Sequence, residues 1–306
     1  MPITQFICPD KVRIDIKDCL SECRMADRCM TLPTLLKASE SREWDGTPHV
    51  TNLIGGTREY YLQIHHDTAI DPKSTMYSQL GTAYHAMLEE LAKELDIPAE
   101  INFHRPGVIQ GTSDLLQPNG DGSYDLIDYK TWGSYKVKMA LGIKYKKNPN
   151  HLGSDRRHKD YWTFYKEASA IDNRDAELQL NKYRMELETL GYPIDRMFVQ
   201  ATVRDGGLQA AKNVGVVSQL YMIPVQRLPD DVVMQYFTAK GALLRMHIDA
   251  GTVPDVCTAE ERWNGDMKCK KFCDVAEFCS YGRQWVNPPV TTIPTPIPQN
   301  EVAQGE

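Results

Sequence analysis

The 306-residue sequence lacks any uninterrupted apolar stretch that approaches membrane-spanning length. Its N-terminal residues MPITQFICPDK also lack the apolar segment that a secretory signal needs. An excess of positive charge is missing too, because 41 acidic residues outnumber 35 basic ones and the formal net charge is −6. These absences argue against a membrane partner and against a surface that coats nucleic acid throughout. We expect a cytoplasmic globular protein.

The domain organisation follows from composition. With 42% hydrophobic and 25% charged residues, the chain is expected to form one large domain with extensions. We assign residues 1–45 to a cysteine-rich N-terminal extension, 46–250 to the core and 251–286 to a C-terminal cysteine cluster. Residues 287–306 are rich in proline and poor in large apolar side chains, which is typical of a disordered tail.

Hydrophobic periodicity predicts a mixed α/β fold. The predicted helices are Leu32–Ala38, Thr51–Leu62, Tyr77–Leu95, Asp175–Leu190 and Pro229–Ala250. The predicted strands are Gly107–Leu116, Ser123–Thr131, Arg196–Val203 and Val214–Ile223.

The most informative segment is a predicted β-hairpin. Its turn, PNGDGS, is dense in residues that favour tight turns and is flanked by apolar runs. A turn centred near Asp121 places Asp114 opposite Asp128, because each lies seven residues from the centre. Side chains alternate along a strand, so Asp128 and Lys130 share a face. The hairpin therefore brings two carboxylates and one ammonium group together.

This combination favours a divalent metal site. Carboxylate oxygens are the ligands that Mg²⁺ or Mn²⁺ prefers, and Mg²⁺ usually takes one or two of them beside substrate phosphates. A neighbouring lysine can orient or help deprotonate a metal-bound water. The pattern predicts metal-assisted hydrolysis of a phosphodiester.

Three motifs in order along the chain resemble the PD-(D/E)XK nuclease superfamily, in particular its RecB-like branch. They are His85 in GTAYHAMLEEL, Asp128-Tyr129-Lys130-Thr131, and Gln179 with Tyr183 in LQLNKYRMEL. The resemblance spans about Gly81 to Tyr183. It implies a restriction-endonuclease-like core with a mixed central sheet flanked by helices.

The resemblance also implies roles for these residues. His85, Asp114 and Asp128 would hold Mg²⁺ or Mn²⁺, and Lys130 would position the water or stabilise charge on the phosphate. Gln179 and Tyr183 would support the site. Glu100 lies upstream where some relatives use a further acid, but the spacing in AEINFHRPG does not decide its role.

Each motif also has a structural interpretation when it is taken alone. An acid-x-Lys triplet in a strand is usually a solvated face. His85 borders an amphipathic stripe and could pack within it, and Gln179 and Tyr183 share a helix face on which they could form a structural hydrogen bond. The conjunction of the motifs, in order and with a hairpin between the aspartates, favours the nuclease.

The eight cysteines form two groups of four with nearly the same spacing: Cys8, Cys19, Cys23 and Cys29, then Cys257, Cys269, Cys273 and Cys279. Each group ends in Cys-x3-Cys-x5-Cys. Four thiolates suit tetrahedral Zn²⁺ or an iron–sulfur cluster. Disulfides are disfavoured in a cytosolic protein.

Some RecB-like nucleases, including AddB-type and four-cysteine CRISPR-associated ones, hold a 4Fe-4S cluster with one cysteine before the core and three after it. Their trailing triplet is commonly Cys-x2-Cys-x5-Cys, so this chain has one residue more. It also has four cysteines on each side, which permits one or two clusters, or structural Zn²⁺. The flanking basic residues could offset thiolate charge: Arg24, Arg28, Lys268, Lys270 and Lys271.

A basic insertion follows Lys130. Residues 131–160 contain eight lysines and arginines against Asp155 and Asp160, interleaved with Trp132, Tyr135 and Tyr145. Aromatic rings beside cations can stack exposed bases while the cations follow phosphates. The alternative is a solvated, mobile loop, and the turn residues near Asn148 and Gly153 favour flexibility.

Together these patterns predict a metal-dependent deoxyribonuclease that acts on DNA ends or single strands in recombination, repair or phage DNA processing. Two other classes stay open. One is a nucleic-acid-binding scaffold with a silent nuclease fold, and the other is a redox sensor in which a cluster is the working part.

Overall fold

The computed structural model describes residues 3–41, 43–103, 109–154 and 161–286. These residues form two compact units. The first unit contains the described parts of Met1–Trp44, Arg58–Met76 and Asp255–Glu306, and the second contains those of Asp45–Thr57 and Tyr77–Pro254. Residues 58–76, which the predicted boundaries assign to the core, belong to the first unit. The predicted disordered tail lies outside the described residues.

The strands in the described residues are β1 Ile3–Ile7, β2 Arg13–Asp15, β3 Thr68–Ile70, β4 Ala99–Asn102, β5 Thr112–Pro118, β6 Tyr124–Trp132, β7 Ile143–Lys147, β8 Trp162–Lys166, β9 Ile194–Val203 and β10 Leu220–Val225. The helices are α1 Ile16–Ser21, α2 Leu32–Ala38, α3 Val50–Ile54, α4 Thr57–His65, α5 Met76–Glu94, α6 Ser134–Ala140, α7 Arg174–Thr189, α8 Gln209–Lys212, α9 Asp230–Ala250 and α10 Met267–Lys271. None of these helices combines the length and hydropathy that crossing a bilayer requires.

A five-stranded mixed sheet organises the second unit. Its strand order is β10-β9-β6-β5-β4, with β6 parallel to β9 and the other neighbours antiparallel. On one face, Ala92 and Leu88 of α5 pack against Leu115, Ile127 and Tyr129. On the other face, α7 contacts β6, β9 and β10. A mixed α/β fold with a mixed sheet between helices was predicted, and it is confirmed.

The predicted hairpin is formed by β5 and β6. Leu115 pairs with Ile127 and Pro118 with Tyr124, so the register is centred on Asp121 as the turn residues predicted. The side chain of Asp121 accepts a hydrogen bond from the backbone N–H of Ser123 at 2.9 Å, which closes the turn.

The first unit has its own sheet and core. Strand β1 pairs antiparallel with β2 and parallel with β3. Phe6, Leu35, Ala38 and Ile70 are buried together with the side chain of Cys19. One of the predicted cysteine ligands is thus part of a hydrophobic core.

Candidate functional site

Three carboxylates lie in register across neighbouring strands. In the pairing of β4 with β5, Ala99 faces Leu115 and Ile101 faces Ser113, which sets Glu100 opposite Asp114. The β5–β6 register, continued by one residue, sets Asp114 opposite Asp128. Facing residues on adjacent strands share a side of the sheet. Glu100, Asp114 and Asp128 therefore form a line of carboxylates across β4, β5 and β6, called here the acidic row.

His85 reaches the same row from helix α5. The helix approaches β6 closely at Gly81, where a Cβ would lie 3.1 Å from Oγ1 of Thr131. Nε2 of His85 donates a hydrogen bond to the carbonyl oxygen of Tyr129 at 2.7 Å. Since a carbonyl only accepts, the proton of the neutral ring is on Nε2 and the lone pair is on Nδ1. The Nδ1 atom is 3.6 Å from Oδ2 of Asp114.

The side chains of His85, Glu100 and Asp114 provide a set of ligand atoms that could bind a cation. Each offers one ligand atom, and the three atoms lie within 4.8 Å of one another. Burial lowers the pKa of His85, which keeps the ring neutral. Glu100 has φ of 49°, an uncommon conformation for a residue with a side chain, and such strain clusters at functional sites. One nitrogen and two carboxylates suit Mg²⁺ or Mn²⁺.

The surroundings of Asp114 change the pKa of its carboxyl group. Burial, and secondly the charge of Asp128, raise the pKa of Asp114 to about 8, although Lys130 opposes the shift. Oδ2 of Asp114 accepts a hydrogen bond from the backbone N–H of Tyr129 at 2.7 Å, which fixes its orientation. A cation bound beside Asp114 would favour its ionised form and lower its pKa.

Lys130 and Asp128 form an ion pair. Nζ of Lys130 lies 2.6 Å from Oδ2 of Asp128, whose side chain is only 2% exposed. Burial acts to lower the pKa of Lys130, but the carboxylates of Asp128 and Asp114 outweigh it, so the pKa is raised. The side chain is therefore an ammonium group at neutral pH.

Helix α7 supports the row from the other side. Nε2 of Gln179 donates to Oδ1 of Asp128 at 3.1 Å and lies 3.2 Å from the hydroxyl of Tyr183. The ring of Tyr183 makes an edge contact with Phe103. Both rings lie close to Gly111, where a Cβ would come within 2.4 Å of Phe103 and 2.8 Å of Tyr183. Only glycine fits this position.

The six sequence-predicted residues of the site are linked by contacts in the structure: His85, Asp114, Asp128, Lys130, Gln179 and Tyr183. The predicted metal ligands were His85, Asp114 and Asp128, whereas the close donor set in the structure has Glu100 in place of Asp128, which is bonded to Gln179 and Lys130 instead. The structure thus adds Glu100, whose position the sequence spacing left undecided. The missing signal was strand β4 itself, which the sequence did not predict, and its pairing with β5.

The C-terminal cysteines converge on one cavity in the first unit. Its lining includes Cys257, Cys269, Cys273 and Cys279. Burial raises the pKa of Cys273 to about 12, and it also raises the pKa of Cys257 and of Cys269. Thiolates are disfavoured here unless a metal compensates them.

The N-terminal cysteines form a second cluster. Burial, followed by the nearby thiols of Cys8, Cys29 and Cys23, raises the pKa of Cys19. The pKa of Cys8 is also raised by burial, although a hydrogen bond with Arg24 opposes this. Arg28 donates to the carbonyl oxygen of Cys19 at 2.7 Å, so it braces the chain between these cysteines.

Comparisons with known proteins identify neither a family nor an activity for this chain. No protein-family model and no curated protein matches the chain. A solved structure described as "Crystal structure of SSO0001" matches with 15% identity and a TM-score of 0.43, covering 82% of this chain and 93% of that one. A likeness at this level defines neither a family nor an activity, so the function rests on the geometry of the site.

Proposed function

We propose that this protein is a metal-dependent deoxyribonuclease of the PD-(D/E)XK type with a restriction-endonuclease-like core. The observation that carries the proposal is the row of Glu100, Asp114 and Asp128 across three strands, with Lys130 paired to its last member. Acids that serve only as solvated strand residues would be separated from one another and exposed. Here Asp128 is buried, and the row stands beside a neutral histidine.

Each residue of the site has a distinct proposed role. His85, Glu100 and Asp114 would hold Mg²⁺ or Mn²⁺, with Asp128 as the further carboxylate of the row. A cation held there would supply Lewis-acid chemistry, which polarises a phosphate and lowers the pKa of a water. Lys130, as an ammonium group, stabilises negative charge that develops on the phosphate. Gln179 holds Asp128 in place, and Tyr183 braces Gln179.

The cysteine groups are proposed to bind one or two 4Fe-4S clusters that stabilise the first unit. The support comes from the four thiols that line one cavity. Because no preformed site exists in an unfolded chain, the free energy of metal binding adds to the stability of the folded state. Structural Zn²⁺ remains the alternative ligand.

The decisive experiment measures Mn²⁺-dependent cleavage of labelled single-stranded, double-stranded and circular DNA. We expect Asp128→Asn and Lys130→Ala to lower the rate about a hundredfold or more, since each removes charge that acts on the transition state. Matched controls are Asp195→Asn and Lys212→Ala, which alter exposed residues outside the site.

The cleavage rates are interpreted together with metal binding and with the melting temperature of each variant. Wild-type cleavage that requires Asp128 and Lys130, while both variants keep the wild-type melting temperature, supports the nuclease. No cleavage of any substrate by the wild type, or undiminished cleavage by both variants, would overturn the proposal. Uncut circular DNA beside degraded linear DNA would define an exonuclease.

A further inference from the structure

The ribbon formed by β7 and β8 is strongly cationic. Along the sequence it lies between β6, which carries Asp128, and α7, which carries Gln179. Residues 131–154 contain five lysines and no acidic residue, in a chain whose net charge is −6. Four lysines belong to the two strands themselves: Lys144, Lys146, Lys147 and Lys166.

The ribbon is held firmly at its base. The backbone N–H of Glu167 donates to the carbonyl oxygen of Gly142 at 2.9 Å. Gly142 has φ of 61°, and a Cβ there would lie 2.4 Å from the carbonyl oxygen of Glu167. On one face, Phe164 and Ile143 press on Gly215, where a Cβ would approach Phe164 to 2.7 Å. The predicted mobile loop is thus a packed two-stranded element at these residues.

The opposite face, called here the outer face, consists of Lys144, Lys146, Thr163 and Tyr165. Lys144 pairs with Tyr165 and Lys146 with Thr163, and alternation puts all four on one side of the ribbon. All four are exposed, and Tyr165 is 42% exposed. Nζ of Lys146 lies 5.5 Å from the centre of the Tyr165 ring. Within the described residues, neither lysine of the outer face has a carboxylate within ion-pairing distance.

This surface has the two features that recognise an unpaired nucleic acid strand. Lysines without ion-pair partners can follow a phosphate backbone, and an exposed phenol ring can stack on a base that is not paired. We propose that the outer face binds single-stranded DNA as a substrate. This proposal rests on the proposed nuclease function and gives its substrate class.

Two other partners fit the surface less well. A duplex offers the same phosphates, but its bases are already stacked, so Tyr165 would have no base to cover. An acidic protein surface would pair with the lysines, but it would gain nothing specific from an exposed ring between them. The ring beside the cations therefore favours the single strand.

The test measures binding to fluorescent oligothymidylate and to a duplex of equal length by anisotropy. The full-length chain with Asp128→Asn is used without added divalent metal, so that no substrate is cut. Tyr165→Leu removes the ring and Tyr165→Phe keeps it. Lys144→Gln with Lys146→Gln removes two charges, and Lys17→Gln with Lys212→Gln removes two exposed charges elsewhere.

We expect Tyr165→Leu to weaken oligothymidylate binding about fivefold or more, with Tyr165→Phe close to the parent and duplex binding within about twofold. Loss of Lys144 and Lys146 should reduce the slope of log affinity against log salt by about 1.4, because each single-strand phosphate contact contributes about 0.7. The paired control at Lys17 and Lys212 should leave that slope unchanged.

Three results would overturn the single-strand assignment. They are equal losses for duplex and oligothymidylate, no loss with Tyr165→Leu, and competition by poly-glutamate as strong as that by oligothymidylate. Failure of the nuclease proposal looks different. In that case these binding differences would be present, yet the wild-type protein would cleave no DNA with Mn²⁺.

Discussion

Gln179 donates a hydrogen bond from Nε2 to Oδ1 of Asp128 across 3.1 Å, so a helix side chain fixes a carboxylate of the central strand. The other oxygen of Asp128 is paired with Lys130. Both oxygens of this buried acid are therefore oriented before any ligand arrives. Such supporting contacts commonly change metal affinity or activity by 10- to 100-fold when they are removed.

We expect Gln179→Met to lower the Mn²⁺-dependent kcat about 10- to 100-fold without a comparable loss of melting temperature, because the amide orients Asp128 but carries little of the core. The measurement is steady-state cleavage of single-stranded DNA over a range of Mn²⁺ concentrations. Gln209→Met is the control, since Gln209 is exposed on α8. A wild-type kcat for Gln179→Met would show that Asp128 needs no such support.

The stability of the metal-free protein should fall as the pH rises from about 4 to about 8. In the folded state the pKa of Asp114 is raised to about 8 by burial and by Asp128, whereas in the unfolded chain it is about 3.9. Within that window the folded state binds the extra proton, so each step upward in pH favours unfolding. Melting temperatures without divalent metal, measured across this range, test the direction.

Asp114→Asn should flatten this pH dependence, because the amide does not titrate. Asp195→Asn, which changes an exposed acid, should retain the wild-type slope. Added Mn²⁺ should raise the melting temperature more at pH 8 than at pH 6, since binding the cation releases the proton. Identical slopes in wild type and Asp114→Asn would remove Asp114 as the source of the effect.

Gly111→Ala should destabilise the protein by about 1–3 kcal/mol, a typical effect of inserting a methyl group into a packed site. The new Cβ would meet the rings of Phe103 and Tyr183. Thermal unfolding measures the loss, and cleavage should fall as well because Tyr183 is displaced. Gly241→Ala is a matched control. Nothing lies within 4 Å of that position in α9, so alanine should stabilise by about 0.5–1 kcal/mol.

Cys273→Ser should lower metal content and melting temperature by emptying the C-terminal cysteine site alone. Cys23→Ser should do the same for the N-terminal group, since the two groups of thiols are clustered separately. Elemental analysis of iron and zinc, with visible absorbance, distinguishes clusters from zinc. If Cys23→Ser also emptied the C-terminal site, the two groups would share one cluster. Unchanged metal content in both variants would exclude the proposed ligands.

The hairpin of β5 and β6 could be predicted from sequence because its information is local. The turn residues around Asp121 fix a register that the structure reproduces, and strand alternation puts Asp128 and Lys130 on one face. The long helix predicted at Tyr77–Leu95 is Met76–Glu94, and it carries His85 to the sheet. Turn residues were sufficient for the hairpin, and a strong periodic pattern was sufficient for the helix.

Other features depend on local backbone conformation or on a strand that the sequence pattern did not indicate, so they were not predicted. The helix predicted at Thr51–Leu62 is interrupted after Ile54 and resumes at Thr57, with Gly55 and Gly56 between. The strand predicted from Val214 begins only at Leu220, because Gly215 has a positive φ and the chain turns there. Glu100 was undecided because only its pairing with β5 reveals its neighbours.

The first unit draws its residues from both ends of the chain, and Arg13 is paired with Glu277 at 2.7 Å across 264 positions of sequence. A ribosome delivers these partners at very different times. The segment that supplies Cys257 to Cys279 follows the whole of the sheet-bearing unit in the sequence. Synthesis therefore completes the unit with the acidic row first, and the cofactor proposed for the C-terminal cysteines would be inserted afterwards.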